Sequence, residues 1–476
     1  MASVSADALK NEGNELIAKR SFNAAIDKYN QAIELNASVP AYYSNRAFAY
    51  IKVELYGAAI QDANKAIEID PTFVKAYYRR AVGNMAMGKF KEAVKDFQAV
   101  CKVAPRDADA KLKLKECQAE LTRRNFEKAI AVEDSKKSAV ELLGDVDSII
   151  VDPASPEPHL PAEGITLDFV MAMMEHMKAQ KKLHRKYVYK IMLAAKAVLE
   201  ASSTIVDVPI PTNGSVTICG DIHGQYYDLM NIFALNGLPS PTNAYIFNGD
   251  FVDRGSFSVE CILTLLAFKA LYPDSFFMSR GNHETDDMNK VYGFEGEVKA
   301  KYSDVMMKLF SEIFNAVPLG NLVGGKILVV HGGLFSRDGV TLDEIRQIDR
   351  FKQPGSEGLM CELLWSDPQP QPGRSPSKRG VGIQFGPDVS KAFCDLNGLN
   401  CVVRSHEVRQ EGYAVEHDGK CITIFSAPNY VDVSGNKGAY IRVTPDFNMK
   451  YNQFEAVPHP NVKAMQYAQQ FMSNMM

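Results

Sequence analysis

Hydrophobicity runs along this chain in two rhythms. Over roughly the first hundred residues, small and aromatic side chains recur at helical spacing and again at a longer period. Ala25, Ala59 and Ala93 stand 34 residues apart, as do Leu9, Tyr43 and Tyr77, then Gly13, Ala47 and Ala81, and finally Ala37, Pro71 and Pro105. That pattern predicts stacked helix pairs, because backbones pack closely only where side chains are small and each pair buries the face its neighbour leaves open. Past residue 200 the rhythm changes to short apolar runs, each ending in a sharp polar turn. The runs before Gly220-Asp221-Ile-His223-Gly, Gly249-Asp250-Phe-Val-Asp253-Arg254-Gly, Arg280-Gly-Asn282-His283-Glu284, His331-Gly-Gly and Arg404-Ser-His406-Glu read as buried strands.

Between the two rhythms lies a charged helical stretch, expected to extend the repeats over 109–140. A segment with Pro153, Pro156, Pro158 and Pro161 follows, expected as an extended linker over 141–165. A helical pattern resumes from about Leu167 to Glu200, and its Met171-Ala-Met-Met174 run reads as core packing. After a Pro-His-Pro break, Val462 to Met472 has the spacing of an amphipathic helix with Met465, Ala468, Phe471 and Met472 on one face. The expected organisation is therefore repeats over 6–108, the extending helix, the linker, a catalytic domain over 166–457 and a C-terminal regulatory helix over 458–476.

The 34-residue period resembles tetratricopeptide repeats, three of them, although Asn84 stands where Leu16 and Tyr50 do in the earlier copies and Ala37 replaces the proline. Such arrays form a concave groove. Lys10, Asn14, Asn45, Lys75 and Arg79 fall on the first helices of successive repeats, with Lys10/Asn14 and Lys75/Arg79 one turn apart. By themselves they are compatible with a solvated basic face. They also resemble the clamp by which some repeat domains hold the acidic C-terminal tail of heat-shock protein 90 through its carboxylates.

Ligand sites in open sheets gather beyond the carboxyl ends of strands, so the polar turns are expected to converge. Asp221, His223, Asp250, Asn282, His331 and His406 offer hard oxygen and imidazole donors, suited to Mn²⁺, Fe or Zn²⁺ and numerous enough for two divalent ions. Two metals sharing a site point to hydrolysis at phosphorus.

The ordered motif set, with Ser426-Ala-Pro-Asn-Tyr430, resembles the phosphoprotein phosphatase family of serine/threonine phosphatases, in the form that carries tetratricopeptide repeats on the same chain. The resemblance spans essentially the whole sequence. It implies a multidomain protein: an all-α repeat domain, then an α/β calcineurin-like metallophosphoesterase domain with a β-sandwich flanked by helices. It implies that Asp221 and His223 hold one ion, that Asp250 bridges both, and that Asn282, His331 and His406 complete the second. A hydroxide between the ions would attack phosphorus in line, and His283, oriented by Asp253, would protonate the departing Ser or Thr oxygen. Arg254, Arg379 and Tyr430 would grip the phosphate. Such members are held weakly active by their repeats and released by a chaperone tail or a fatty acid; the matching inhibitory acid is Glu54. Val431 stands where many members carry Cys, which puts covalent capture by electrophilic toxins in doubt while leaving hydrolysis intact. Arg404 and Glu284 read as loop buttresses, and His176, His184 and His417 as surface or packing residues.

Composition changes this picture little. A net charge of −4 gives no reason to invoke nucleic acid, and no apolar run approaches the ~18 residues of a transmembrane segment. The N-terminus lacks a signal-peptide pattern, and the eight scattered cysteines lack any Cys-x-x-Cys pair, so reduced thiols and a cytoplasmic and nuclear location are expected. The residues leave two other readings open: a binuclear esterase acting on nucleotides or small phosphate esters, and a co-chaperone scaffold with an inactive phosphatase fold. The intact ligand set with His283 weighs against the second, and the Ser-Ala-Pro-Asn-Tyr segment with the repeats against the first.

Overall fold

The computed structural model describes residues 5–134 and 137–468, and side chains except those of 126–134. It divides into two compact units: a helical one reaching Lys136 and including Pro376–Val381, and a second comprising Lys137–Ser375 and Gly382–Gln469.

The helical unit is built from α1 (Ala6–Ala18), α2 (Phe22–Leu35), α3 (Pro40–Lys52), α4 (Tyr56–Ile69), α5 (Val74–Ala86), α6 (Phe90–Val103) and the long α7 (Ala108–Asp134). Successive helices pack antiparallel, as the 34-residue period requires. Ala25, Ala59 and Ala93 are wholly buried. Gly13 shows why the crossing must be small: a Cβ there would lie 2.6 Å from the Tyr29 ring. A further period-34 layer is ionic. Arg46 forks onto Asp62 at 2.6 and 2.7 Å and reaches Asn30, and Arg80 repeats this on Asp96 at 2.8 Å, reaching Asn64. In the first repeat the corresponding positions are Glu12 and Lys28, paired at 2.6 Å with the signs exchanged. Within this unit the Gly57 and Ala58 amides, at the start of α4, donate to the carbonyls of Arg379 and Lys378 at 3.2 and 2.8 Å.

In the second unit one sheet runs, in spatial order, Met449–Phe454, Gly438–Val443, Ser215–Cys219, Asn243–Asn248, Phe276–Ser279. The other runs Ile205–Val208, Gly320–Val323, Ile327–Val330, Cys401–Arg404, Cys421–Ile424, Tyr413–Glu416. Alternation along each strand assigns its faces. Val216, Ile218, Ile246 and Phe277 meet Val329, Val403 and Ile424 in a core between the sheets. Tyr245, Phe247, Phe276 and Met278 face the other way, against helices Leu167–Lys178, Arg185–Ala201, Ser258–Leu271 and Asp304–Ala316. Leu328, Val330 and Val402 pack outward against helices Leu359–Trp365 and Pro387–Asn397. The result is the expected sandwich flanked by helices.

Three expectations need correction. The segment 141–165 is not a free extended linker: Leu143, Val146, Ile149, Val151 and Leu160 pack on the catalytic core, and Lys186 Nζ binds the carbonyls of Asp147 and Ile149 at 2.7 and 2.8 Å. The helical pattern from Leu167 to Glu200 is two helices, broken where Gln180 adopts φ +58° and His184 caps the second; Met173 and Met174 are core, but Met171 is exposed. At the C-terminus, residues 464–467 form turns rather than a helix. The amides of Met465 and Gln466 are given to Arg254 O and Ser256 Oγ, which takes them out of a helical ladder. The rest of that predicted helix, including Phe471 and Met472, lies outside the described residues. All eight cysteines are free, and seven are buried. No helix among the described residues is long and apolar enough to cross a membrane.

Candidate metal centre and active site

The strands Ser215–Cys219, Asn243–Asn248 and Phe276–Ser279 are parallel, as are Ile327–Val330, Cys401–Arg404 and Cys421–Ile424. Their carboxyl ends therefore open on one rim of the sandwich, and the polar turns meet there. Asp250 lies at the centre: its Oδ2 is 3.4 Å from His223 Nε2 and 3.3 Å from His331 Nε2. His331 Nε2 is also 2.9 Å from Asn282 Oδ1 and 3.2 Å from His406 Nδ1. Asp221 Oδ2 lies 3.8 Å from His223 Nε2. All six expected ligands are brought together, and all are buried.

The local backbone explains how. His223, Asp250 and His406 have φ of +47°, +49° and +71°, a region L-residues enter only when tertiary contacts enforce it. Gly249 makes the approach possible, since a Cβ there would sit 2.6 Å from His331 Nδ1. Glu284, wholly buried, holds the Asp250 turn by accepting the amides of Asp250, Phe251 and Gly281 at 2.8, 2.9 and 2.8 Å. Arg404 is likewise a buttress, bound to Gly332 O at 2.6 Å and Asp367 at 2.9 Å.

The donor set fits cations. His223 Nδ1 donates to Val252 O at 3.0 Å and His331 Nδ1 to Asn248 O at 2.9 Å, so in the neutral ring each Nε2 offers a lone pair inward. Two imidazole lone pairs, two carboxylates and an amide oxygen then crowd one buried space. Two overlapping groups, His223–Asp250–His283 and Asp250–His331–His406, each keep their ligand atoms within 4.8 Å, with Asp250 shared. The second group is made of expected ligands, whereas the first includes His283 and leaves out Asp221. The charges are divided: burial would lower His331, but Asp250 and Asp221 outweigh it and raise it to about 9. Burial pushes Asp221 up to about 7, and burial pushes His223 down to about 3, keeping its imidazole neutral for ligation. Burial alone would raise Asp250 as well, but His331 and His283 hold it below the usual carboxylate range.

His283 is set apart from the ligands by its partner. Its Nδ1 lies 2.9 Å from Asp253 Oδ2. Asp253 is buried and also accepts from Phe294 N at 2.9 Å and Asn289 Nδ2 at 3.1 Å. Burial raises its pKa, and these donors oppose that. Arg254 lays its guanidinium on the Tyr292 ring at 3.8 Å, and the same ring packs 5.1 Å from His283. Tyr430 stands 5.2 Å, ring to ring, from His223, in a loop where Val431 takes φ +55°. Asn289 and Tyr292 were not recognised from the sequence, although both follow the Gly-Asn-His-Glu turn within ten residues. Arg379 lies in the segment Pro376–Val381 that is counted with the helical unit.

In that unit, Asn14 and Asn45 meet directly, Asn45 Nδ2 donating to Asn14 Oδ1 at 3.0 Å, and Tyr29 donates to the same oxygen at 2.8 Å. Arg79 stacks on Phe48 at 4.4 Å, while Lys75 is exposed one turn before it on α5. Lys10 lies 3.8 Å from Asp7 on α1. Glu54 occupies the turn between α3 and α4 with φ +61°. His184 caps a helix and His417 bridges Ser390 and Gln369, structural roles as expected.

Known proteins agree with this architecture. The calcineurin-like phosphoesterase family model matches residues 214–410, tetratricopeptide repeat models match 13–53, 40–73 and 74–107, and a PPP5 repeat-region model matches 114–207. Human serine/threonine-protein phosphatase 5 is 54% identical over 97% of this chain and 93% of its own length. Serine/threonine-protein phosphatase T of Schizosaccharomyces pombe is 55% identical over 98% of each. A solved serine/threonine phosphatase from Saccharomyces cerevisiae, described as similar to human PP5, superposes with a TM-score of 0.62 at 42% identity, covering 63% of this chain and all of that one. This chain therefore belongs to the serine/threonine-protein phosphatase 5 family and is a protein serine/threonine phosphatase with a tetratricopeptide repeat unit in front of a calcineurin-like phosphoesterase unit.

Proposed function

We propose that the protein hydrolyses phosphoserine and phosphothreonine in protein substrates, using Asp221, His223, Asp250, Asn282, His331 and His406 to hold two divalent ions. The observation that carries this reading is the His283–Asp253 pair, 2.9 Å apart, beside that buried donor set. When bound, the ions supply Lewis acidity and lower the pKa of water enough to furnish a nucleophile near neutral pH. The chain's own residues do the rest. Asp253 accepts the Nδ1 proton of His283 and so leaves Nε2 to carry the proton needed by the departing Ser or Thr oxygen. Arg254, stacked on Tyr292, offers its planar fork to phosphate oxygens, and the Tyr430 hydroxyl serves the same group. We assign Arg379 to the phosphate as well on the family resemblance alone. The donor chemistry suits Mn²⁺, Fe or Zn²⁺.

We further propose that Lys10, Asn14, Asn45, Lys75 and Arg79 hold the acidic C-terminal tail of heat-shock protein 90. Glu54 is proposed as the acid through which the repeats lower basal activity, with chaperone tails or fatty acids relieving it, in a protein of the cytoplasm and nucleus. The test is turnover of a phosphoserine peptide with Mn²⁺, comparing the full chain with residues 137–476. A large gain on truncation supports both the chemistry and the inhibition. Equal turnover sinks the inhibition and keeps the enzyme. No turnover in either, with two ions bound, overturns the catalytic reading.

A further inference from the structure

The turn that presents Arg254 is shaped by residues more than two hundred positions away. Asp253 and Arg254 adopt φ of +70° and +72° in succession, a conformation that side-chain-bearing residues avoid and that therefore needs support from outside the turn. The C-terminal segment supplies it. Met465 N donates to Arg254 O at 2.8 Å. Ser256 Oγ donates to Lys463 O at 2.7 Å and accepts from Gln466 N at 3.2 Å. The segment is itself seated: Met465 is 4% exposed, Val462 packs on the helical core layer, and a Cβ on Gly296 would lie 2.5 Å from Tyr467 O.

We propose that Ser256 is a positioning residue through which residues 463–466 hold Arg254 ready for phosphate. One hydroxyl, 5% exposed, serves as donor and acceptor to the same segment, so it fastens that segment at both ends of a short loop while Met465 fixes the intervening carbonyl of Arg254. The Arg254 amide is tied to Tyr292 O at 3.1 Å and its guanidinium to the Tyr292 ring. Freeing its carbonyl lets the turn relax toward ordinary backbone angles and swings the side chain off its axis. The cost falls on phosphate binding, because the metal ligands have their own supports in Glu284 and Asn248. The segment before the chain's end is thus part of the phosphate grip.

This proposal rests on Arg254 binding phosphate, and the test separates the two. In the full chain with Mn²⁺, turnover of a small phosphate ester is measured with inorganic phosphate as competitor, alongside metal content and thermal melting. Ser256→Ala is expected to raise KM and the phosphate inhibition constant together, about three- to tenfold, the scale of losing one hydrogen-bonded restraint. Metal content should stay unchanged and kcat should fall much less. Ser256→Thr, which keeps the hydroxyl, should restore both constants. Met465→Pro, which removes the amide given to Arg254 and cannot hold the φ of +57° found there, unseats the segment, should raise both constants at least as far, and serves if Ser256→Ala does not fold. Unchanged constants in Ser256→Ala, or a Thr variant as impaired as Ala, overturn the proposal. Arg254→Ala is the control: if it leaves phosphate inhibition unchanged, the reading of Arg254 itself fails, whereas a shift there without one at Ser256 sinks only the role of the C-terminal segment.

Discussion

One amide nitrogen of Asn289 donates both to the Asp253 carboxylate at 3.1 Å and to the His283 backbone carbonyl at 2.6 Å. The proposed acid and its orienting carboxylate are thereby fixed to each other through a third side chain. A carboxamide at 253 could still accept from His283, but it would lose the negative charge that favours the charged imidazole. Asp253→Asn is expected to lower kcat about 10²- to 10³-fold with metal content unchanged. Retained kcat on a phosphoserine peptide would remove His283 from the acid's role. Asn289→Ala should cost less, about three- to tenfold in kcat, because it removes one restraint and leaves the pair.

Glu284 accepts three amides from two turns without touching the expected substrate space. Glu284→Gln turns one acceptor oxygen into a donor facing buried N–H groups. The expected outcome is a loss of about 2–3 kcal/mol of stability and weaker metal retention on dialysis against chelator. Full metal content at wild-type melting temperature would show that the Asp250 turn needs no such support.

Where a catalytic fragment is cut matters. A chain starting at residue 166 discards Leu143, Val146, Ile149, Val151 and Leu160 from the core, together with the Ala139 amide that donates to Glu312 at 2.6 Å. It should melt lower than residues 137–476, by on the order of 5–10 °C, given about 3 kcal/mol or more of lost burial. Equal melting curves would mean that 137–165 is dispensable.

Lys269 is buried at the end of its helix, with its ammonium on the carbonyls of Pro273 and Phe276 at 2.8 Å, and burial pushes its pKa down to about 8. Below pH 8 both folded and unfolded chains carry the proton and the penalty is constant. Between about 8 and 10.4 the unfolded chain binds more protons, so this residue makes stability rise with pH, by about 3 kcal/mol at most. Denaturant melts of wild type and Lys269→Met across pH 7–10 should converge or cross in that direction; parallel curves would contradict it.

The exchanged signs of Glu12–Lys28 relative to Arg46–Asp62 make a charge-swap prediction. Arg46→Glu alone should destabilise the repeats by about 2–4 kcal/mol. Adding Asp62→Lys should recover most of that, since the first repeat already holds this arrangement. A double variant no better than the single would mean that the fork geometry of arginine is indispensable there.

The sequence disclosed the strand ends well because each apolar run stopped at a residue with ligand chemistry, as at Val330–His331 and Arg404–His406. It disclosed the repeats because their packing demands small side chains at fixed spacing. Other features depend on partners distant along the chain. Residues 462–468 carry helical periodicity, but Arg254 and Ser256 claim the amides. Residues 141–165 carry scattered apolar side chains with no period, most of them just before the prolines, so nothing local marks them as core. Asn289 and Tyr292 look ordinary until the fold brings them to Asp253 and Arg254. The Arg46–Asp62 ladder did repeat at 34 residues, yet an ionic column is invisible to a search for apolar ones.

The sign exchange in the first repeat also bears on how three similar modules find the correct neighbours. Were Arg46 on α3 to settle against the α2 position that matches Asp62, it would meet Lys28; were Glu12 on α1 to take the α4 position, it would meet Asp62. Either exchange sets like charges together in a layer that is buried on the Asp62 side and half-exposed at Glu12 and Lys28. The array thus carries a checksum written in charge, one that rejects a frame-shifted pairing of helices whose apolar faces are otherwise nearly interchangeable.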